Sequence, residues 1–195
     1  MTLNKAKLKS DIESIFKDGS SKALSTEGVA EQRWASAYHA YASKAMDASN
    51  DMVASANQAG FRSALNFRVA KDSMTPLTIA QQLDLAFVSY WTGATFAVGI
   101  PPTPAAKCPS VGGNTIFSTE ISSIVQTVIP GTLLAQLTPI VTQKSKAATL
   151  SDMAQQYADA FHTATTTAVL VFITGLDTTP PPAGPLSVFN LCTIS

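Results

Sequence analysis

Charged side chains almost disappear from this chain after residue 84. Residues 1–84 hold ten lysines and arginines and nine acidic residues, whereas the remaining 111 residues hold three lysines and four acidic residues. An ordinary globular domain is about 25% charged, and a soluble monomer covers its surface with polar groups. We therefore expect much of the surface of the second half to be covered by other proteins.

The overall charge balance argues against several classes of protein. The formal net charge is zero and no basic face is evident, so the electrostatic footprint of a nucleic-acid-binding protein is missing. The longest strictly apolar run, Ala168–Ile173, is far shorter than the ~20 residues that cross a bilayer. The N-terminus carries charges and lacks the apolar stretch of a signal peptide. We expect a soluble protein made in the cytosol that binds neither nucleic acid nor membrane.

The N-terminal part of the chain, residues 1–93, is predicted to form four helices. Its apolar side chains recur at three- and four-residue spacing, which places them on one face of each helix. Thr26 is predicted to cap the start of the second helix. Thr75 and Pro76 are predicted to begin the fourth helix, and Gly93 to end it. The four faces are Leu8, Ile12, Ile15 and Phe16; Ala30, Trp34, Ala37, Tyr38 and Tyr41; Ala56, Gly60, Phe61, Ala64, Leu65 and Val69; and Ile79, Leu83, Ala86, Phe87 and Tyr90.

The rest of the chain divides into a loop, a second structured part and an arm. Residues 94–117 carry four prolines and three glycines, which forbid a continuous helix or central strand and predict an extended loop. Residues 118–177 are predicted to hold helices over 121–128, over 133–137 and from Thr149 onward, followed by a strand over 165–174. The prolines of residues 178–195 predict an extended C-terminal arm.

Together these elements predict a mainly α fold. Its parts are a helical domain, one or two C-terminal β-strands, and an extended proline-rich loop and tail. Because 195 residues suit one large domain, the four segments are interpreted as a single domain with arms.

No motif for catalysis, cofactor binding or metal binding stands out. His39 and His162 are far apart and lie in no HExxH-type frame, and there is no GxSxG nucleophile elbow. His39 is predicted to be a partly exposed helix residue, and His162 to cap the C-terminal end of the late helix. Cys108 and Cys192 are predicted to be free thiols. We therefore expect no catalytic residue, no cofactor and no metal, and no enzymatic activity.

Seven apolar residues are candidates for a subunit interface. Trp91 lies just before a turn, where it either packs beneath the proline-rich loop or contacts a partner. Residues 186–194 are too apolar to remain in water, so they either fold back onto the chain's own sheet edge or add a strand to a neighbour. We favour the neighbour because the preceding residues carry so few charges. The candidates are Trp91, Phe96, Ile100, Val188, Phe189, Leu191 and Ile194.

The order of these segments resembles that of a known class of proteins. A lysine-rich first helix (Leu3–Phe16) precedes an alanine-rich helix with a Trp/Tyr face (Val29–Met46). The sequence Tyr90-Trp91-Thr92-Gly93-Ala94-Thr95-Phe96, the turn Val128-Ile129-Pro130-Gly131 and the helix end Phe161-His162-Thr163-Ala164-Thr165 follow. Across most of the chain this pattern resembles small virion structural proteins of tailed bacteriophages.

The resemblance implies a non-enzymatic subunit of the virion, made in the host cytoplasm and repeated by symmetry. We expect a homo-oligomer in the neck, tail or baseplate rather than the capsid, contacting sister subunits and other virion proteins through low-charge loops and a C-terminal arm. The main alternative is a cytosolic helical adaptor or assembly chaperone. A further alternative is an enzyme whose pocket converges on His39 or His162 with a carboxylate nearby.

Overall fold

Six helices carry most of the chain that the computed structural model describes, namely residues 3–20, 28–46, 52–67, 75–96, 124–142, 149–175 and 189–193. The predicted mainly α fold class is confirmed. The proline-rich loop beyond residue 96, Cys108 and most of the C-terminal arm lie outside the described residues. The helices are α1 (Lys5–Ser20), α2 (Val29–Ala42), α3 (Gln58–Ala64), α4 (Pro76–Trp91), α5 (Thr132–Thr142) and α6 (Leu150–Thr167).

Side-chain caps define the starts of three helices. Thr75 accepts a hydrogen bond from the Thr78 N–H at the start of α4, with Pro76 at the first helical position, as predicted. Thr149 accepts from the Asp152 N–H and its hydroxyl donates to the Asp152 carboxylate at 2.8 Å, so the predicted pair Thr149 and Asp152 caps the start of α6. Asn57 accepts from the Gly60 N–H and starts α3 later than predicted, which leaves Ala56 ahead of the helix.

The predicted cap of α2 at Thr26 is wrong. The helix begins at Val29, and the capping position is occupied by Gly28, which has a φ of 73° and offers no side chain to cap the helix. A positive φ is costly for residues that carry a Cβ atom, so glycine suits this entry into the helix.

Within the described residues, five strands form two antiparallel sheets. The first pairs β1 (Val53–Ser55) with β2 (Thr95–Phe96), and the second has the order β3-β4-β5. The members of the second sheet are β3 (Ile124–Val128), β4 (Val169–Gly175) and β5 (Phe189–Thr193). The predicted helix over 121–128 is therefore wrong where the structure describes it, because the β-branched residues of β3 favour strand geometry over helical spacing.

The predicted strand over 165–174 begins too early. Residues Thr165, Thr166 and Thr167 belong to α6, and their hydroxyls donate to the carbonyl oxygens of the residues four positions before them, at 2.7–2.9 Å. These bonds compensate for the low helix propensity of β-branched residues. Similar bonds of Thr138 and Thr142 accompany the passage of α5 through Pro139, where the sequence predicted an end.

A single buried cluster joins both halves of the chain. Tyr38 of α2 lies at its centre, and the rings of five neighbours have centroids 4.9–6.2 Å from that of Tyr38. Val128, Leu133 and Phe161 contribute from the low-charge half and are fully buried. The five neighbouring rings are those of Tyr41, Phe61, Phe87, Tyr90 and Phe161.

Asp84 fixes the start of α5 against α4. Its carboxylate is 7% exposed and accepts hydrogen bonds from the N–H groups of Gly131, Leu133 and Leu134, at 2.8, 3.0 and 2.9 Å. The first N–H groups of a helix have no partner within the helix, and a negative charge is favourable there. A residue of one helix thus caps another, and the second half of the chain is held to the first through this contact.

Candidate assembly surface

The three-stranded sheet contains none of the charged side chains that usually protect a sheet from other chains. Its strands have five, seven and five residues, with the sequences IVQTV, VLVFITG and FNLCT. The central strand is β4, so β3 and β5 are the two edges of the sheet in the described chain. Natural proteins commonly place lysine or proline on such edges to prevent pairing with another chain. Neither residue occurs in β3 or β5.

The pairing within the sheet defines the direction of each strand. β3 runs antiparallel to β4, with Ile124 opposite Gly175 and Val128 opposite Leu170. β5 also runs antiparallel to β4, with Val169 opposite Thr193. Both ladders contain a register shift, which increases the local twist of the strands. It follows that β3 and β5 run parallel to each other on opposite sides of β4.

The two edges are attached differently to the helices. β3 packs against α4 and ends at Val128, which is fully buried. β4 follows α6 after one residue, Ala168, which is also fully buried. β5 packs chiefly against β4. Within the described part of the chain, β5 is therefore the edge that depends least on the helical body.

The seven predicted interface residues fall into three groups. Trp91 is fully buried and its indole N–H donates to the Tyr38 hydroxyl at 2.9 Å, so the structure corrects its predicted place in an interface. Trp91 is buried together with the other aromatic residues of α4, Phe87 and Tyr90. Phe96 lies in β2, opposite Val53, and Phe189 and Leu191 lie in β5. The remaining three, Ile100, Val188 and Ile194, lie outside the described residues.

The C-terminal strand pairs with its own chain. The sequence favoured a strand added to a neighbouring subunit, but β5 occupies the edge of β4 in the same chain. The physical reason is backbone pairing: β4 has seven uncharged residues and forms ladders with β3 on one side and with β5 on the other. That expectation is therefore wrong for the edge of β4, which β5 of the same chain occupies.

Two exposed apolar side chains lie at the junction of α4 and α5. Leu85 is 56% exposed and Ile129 is 48% exposed. Leu85 follows Asp84, and Ile129 lies two residues before Gly131, whose N–H binds the Asp84 carboxylate. Neither exposure was predicted from the sequence, since Leu85 is adjacent to the buried face of α4 and Ile129 lies in a turn.

Each histidine is engaged by a tyrosine. The Nδ1 atom of His39 is 3.0 Å from the Tyr90 hydroxyl, and that of His162 is 2.6 Å from the Tyr41 hydroxyl. His162 lies within α6, so its predicted role as a C-terminal cap is wrong. Burial and the positive charge of Lys5 lower the pKa of His162, while Asp159 opposes this shift. The neutral imidazole can accept a hydrogen bond from Tyr41.

Two of the open grooves among the described helices are lined by no histidine. One, of about 310 Å³, lies between α1 and α2 and includes Lys7, Asp11 and Arg33. The other, of about 260 Å³, lies between α5 and α6 and includes Gln136, Gln156 and Asp159. Among the described residues, no group of three His, Cys, Asp or Glu side chains is placed to hold a metal ion.

A buried chain of hydrogen bonds links α2, α4 and α6. The Trp91 indole can only donate, so the Tyr38 oxygen accepts its proton. The Thr165 hydroxyl donates to the Phe161 carbonyl oxygen at 2.8 Å, and therefore it accepts from the Tyr38 hydroxyl at 3.0 Å. The Trp91 donor at one end and the Phe161 acceptor at the other therefore determine the direction of every hydrogen bond between them. Tyr38 thus acts both as acceptor and as donor at the centre of the core.

Replacing Tyr38 with phenylalanine should destabilise the protein. The change removes the hydroxyl that accepts from the Trp91 indole N–H and donates to the Thr165 hydroxyl. We expect a loss of about 1–3 kcal/mol in the free energy of unfolding. Urea unfolding followed by circular dichroism measures it. Tyr157→Phe is the matched control, because Tyr157 makes ring contacts with Phe16 and Trp34 and the described residues offer its hydroxyl no side-chain hydrogen bond. Equal losses in the two variants would contradict the assigned role of Tyr38.

Comparisons with other proteins find no match: no family model, no curated protein and no solved structure is similar to this chain. No helix of the described residues is both long enough and apolar enough to cross a membrane.

Proposed function

We propose that this protein is a non-enzymatic structural subunit that assembles with copies of itself through the β3-β4-β5 sheet. The observation that carries the proposal is the sheet itself, whose three strands have no charged residue and whose edge strands have no lysine or proline. Exposed backbone N–H and C=O groups on such an edge are a template for another strand. The helices α1–α6 provide the rigid body that presents this surface.

The distribution of charge supports self-assembly. Most charged residues of the chain lie in its first half. Those of α1 form ion pairs, such as Lys17 with Glu13 within the helix and Lys5 with Asp159 of α6. The second half keeps few charges that would require water. A chain of zero net charge also has no overall electrostatic repulsion between its copies. Closed symmetric assemblies require only complementary patches of this kind.

We further propose that the assembly belongs to a tailed-phage virion, in its neck, tail or baseplate. This rests on the resemblance described above, carried by the Tyr90–Phe96 segment, the Val128–Gly131 turn and the Phe161–Thr165 helix end. The partners would be sister subunits and other virion proteins. Genes for sheath, tube or portal proteins beside the gene for this chain would support the assignment, and a setting of metabolic genes would contradict it.

The mass of the purified chain in solution tests self-assembly. One chain has a mass of 20.4 kDa, and light scattering coupled to size-exclusion chromatography should give a multiple of that value. A mass of one chain at every concentration would contradict the proposal and favour the adaptor or chaperone alternative.

A further inference from the structure

We propose that His162 is an acid-sensitive contact within the helical body. When its ring gains a proton, the ring gives up the hydrogen bond from Tyr41 and competes with Lys5 for Asp159, which weakens the junction of α1, α2 and α6. The proposal concerns the helices alone. It adds a response to mild acid that the proposed function does not require, and it does not depend on assembly through the β3-β4-β5 sheet.

Charged and polar side chains from α1, α2 and α6 meet at this junction. Asp159 of α6 binds the ammonium group of Lys5 of α1 at 2.8 Å. It also accepts two hydrogen bonds from the Gln155 side-chain amide, at 3.0 and 3.1 Å. His162 lies three residues after Asp159, on the same side of α6. Its Nδ1 atom is 2.6 Å from the hydroxyl of Tyr41 of α2. One half-buried imidazole therefore contacts α2 and neighbours the ion pair that joins α1 to α6.

The Tyr41 hydroxyl is the donor of its hydrogen bond with His162. The distance of 2.6 Å is shorter than the about 2.7–3.2 Å of N–H···O bonds and lies in the range of hydroxyl donors. Burial raises the pKa of Tyr41, so the hydroxyl keeps its proton. The Nδ1 atom of His162 is therefore the acceptor, and the proton of the neutral ring is on Nε2. A protonated ring carries hydrogen on both nitrogens and cannot accept, so acid removes this hydrogen bond in its present direction.

The surroundings of His162 on balance disfavour its protonated form. Burial and the ammonium group of Lys5 lower the pKa of His162, and the carboxylate of Asp159 opposes this shift. α5 also packs against α6, and it contains no charged residue. Burial acts to raise the pKa of Asp159, but hydrogen bonds from Lys5 and Gln155 lower it. Asp159 therefore stays ionised in the pH range where His162 titrates.

Acid should therefore weaken the fold through this histidine. Below about pH 6.5 the unfolded chain binds a proton at His162 more readily than the folded chain does. The stability from the neutral ring is fully present above about pH 6.5 and is lost as the pH falls through the lower pKa of the folded state. One such group changes the folding equilibrium constant by at most about tenfold per pH unit.

Proton NMR of the imidazole signals tests the surroundings of His162 in the full chain. The chain has only two histidines, so His39→Gln leaves the signal of His162 alone. In that chain we expect His162 to titrate below the value of about 6.5 for a free histidine. Adding Lys5→Gln should raise the midpoint, and adding Asp159→Asn should lower it. A midpoint at or above about 6.5, or no shift in either charge variant, would overturn the proposal.

Urea unfolding at about pH 7.5 and about pH 5.5 tests the effect on stability. His162→Gln carries an amide that stays neutral at both values, so this variant should lose less stability in acid than the unchanged chain. His39→Gln is the matched control and should keep the loss of the unchanged chain. The 3.0 Å between the His39 Nδ1 atom and the Tyr90 hydroxyl suits either donor, so a protonated ring can keep that bond.

An acid-induced loss as large in His162→Gln as in the unchanged chain would overturn the proposal. If His162→Gln fails to fold, the NMR titration of the His39→Gln chain decides the question without it. Neither result bears on assembly through the sheet, which the mass of the chain in solution tests separately.

Discussion

The four tyrosines should remain protonated above pH 10 and then ionise together as the protein unfolds. The chain has only four, Tyr38, Tyr41, Tyr90 and Tyr157, and all are buried. Burial raises the pKa of each of them, because an ionised phenol in the core would lose its hydration. In the unfolded chain these groups titrate near pH 10.

The sign of the pH dependence follows from these raised pKa values. Above about pH 10 the unfolded chain releases protons that the folded chain retains, so the free energy of unfolding falls as the pH rises. Each tyrosine contributes at most about 1.4 kcal/mol per pH unit, and four contribute up to about 5 kcal/mol per pH unit. Below about pH 10 this contribution is fully present.

Tyrosinate absorbance and helical circular dichroism, recorded on the same samples during an alkaline titration, measure the effect. We expect both signals to change in one cooperative transition. The urea-unfolded chain is the control, and its tyrosines should titrate gradually near pH 10. Gradual titration near pH 10 with unchanged helical signal would show that the tyrosines are accessible and would contradict the described core.

Replacing Asp84 with alanine should cost about 3–5 kcal/mol in the free energy of unfolding. The change removes the acceptor of three N–H groups at the start of α5, and Leu133, which carries one of them, is fully buried. Hydrogen bonds to a charged group contribute more than neutral ones, and buried donors left without an acceptor are costly. The contact also joins α4 to α5, so its loss should weaken the attachment of the second half of the chain.

Two further variants serve as comparisons for the Asp84→Ala prediction. Asp84→Asn keeps an oxygen for Leu133 and Leu134 but turns an amide N–H₂ toward the Gly131 N–H, so we expect an intermediate loss of about 2 kcal/mol. Asp152→Ala removes an aspartate from the exposed cap of α6 and should cost only about 0.5–1 kcal/mol. Urea unfolding at one fixed protein concentration gives all three values. A loss for Asp84→Ala no larger than that for Asp152→Ala would contradict the role of Asp84.

Local signals in the sequence predicted the starts of two helices at which a cap and an apolar face coincide. Thr75 with Pro76 and Thr149 with Asp152 mark the starts of α4 and α6, because a side-chain cap acts on the residues next to it. These caps depend only on neighbouring residues, which a single sequence contains. The expectation of a second half with little polar surface stays a prediction.

The errors occurred where distant contacts decide the structure. Ile124–Val128 has helical spacing but becomes a strand because β4 pairs with it. Trp91 lies next to a turn, yet Tyr38, 53 residues away in sequence, binds its indole within the core. The capping of α5 by Asp84 crosses nearly fifty residues and leaves no local pattern. Whether β5 joins its own sheet or a neighbour's also depended on contacts that composition does not encode.

The most direct test of assembly through the uncharged sheet compares Asn190→Lys, which places a charge on β5, with Gln81→Lys, which places the same charge on an exposed position of α4. A lysine on an edge strand disfavours pairing with another chain. Light scattering should give a multiple of 20.4 kDa for the unchanged chain and for Gln81→Lys, and a mass near 20.4 kDa for Asn190→Lys, with the helical signal retained in all three. An unchanged multimer in Asn190→Lys would contradict assembly through the β5 edge.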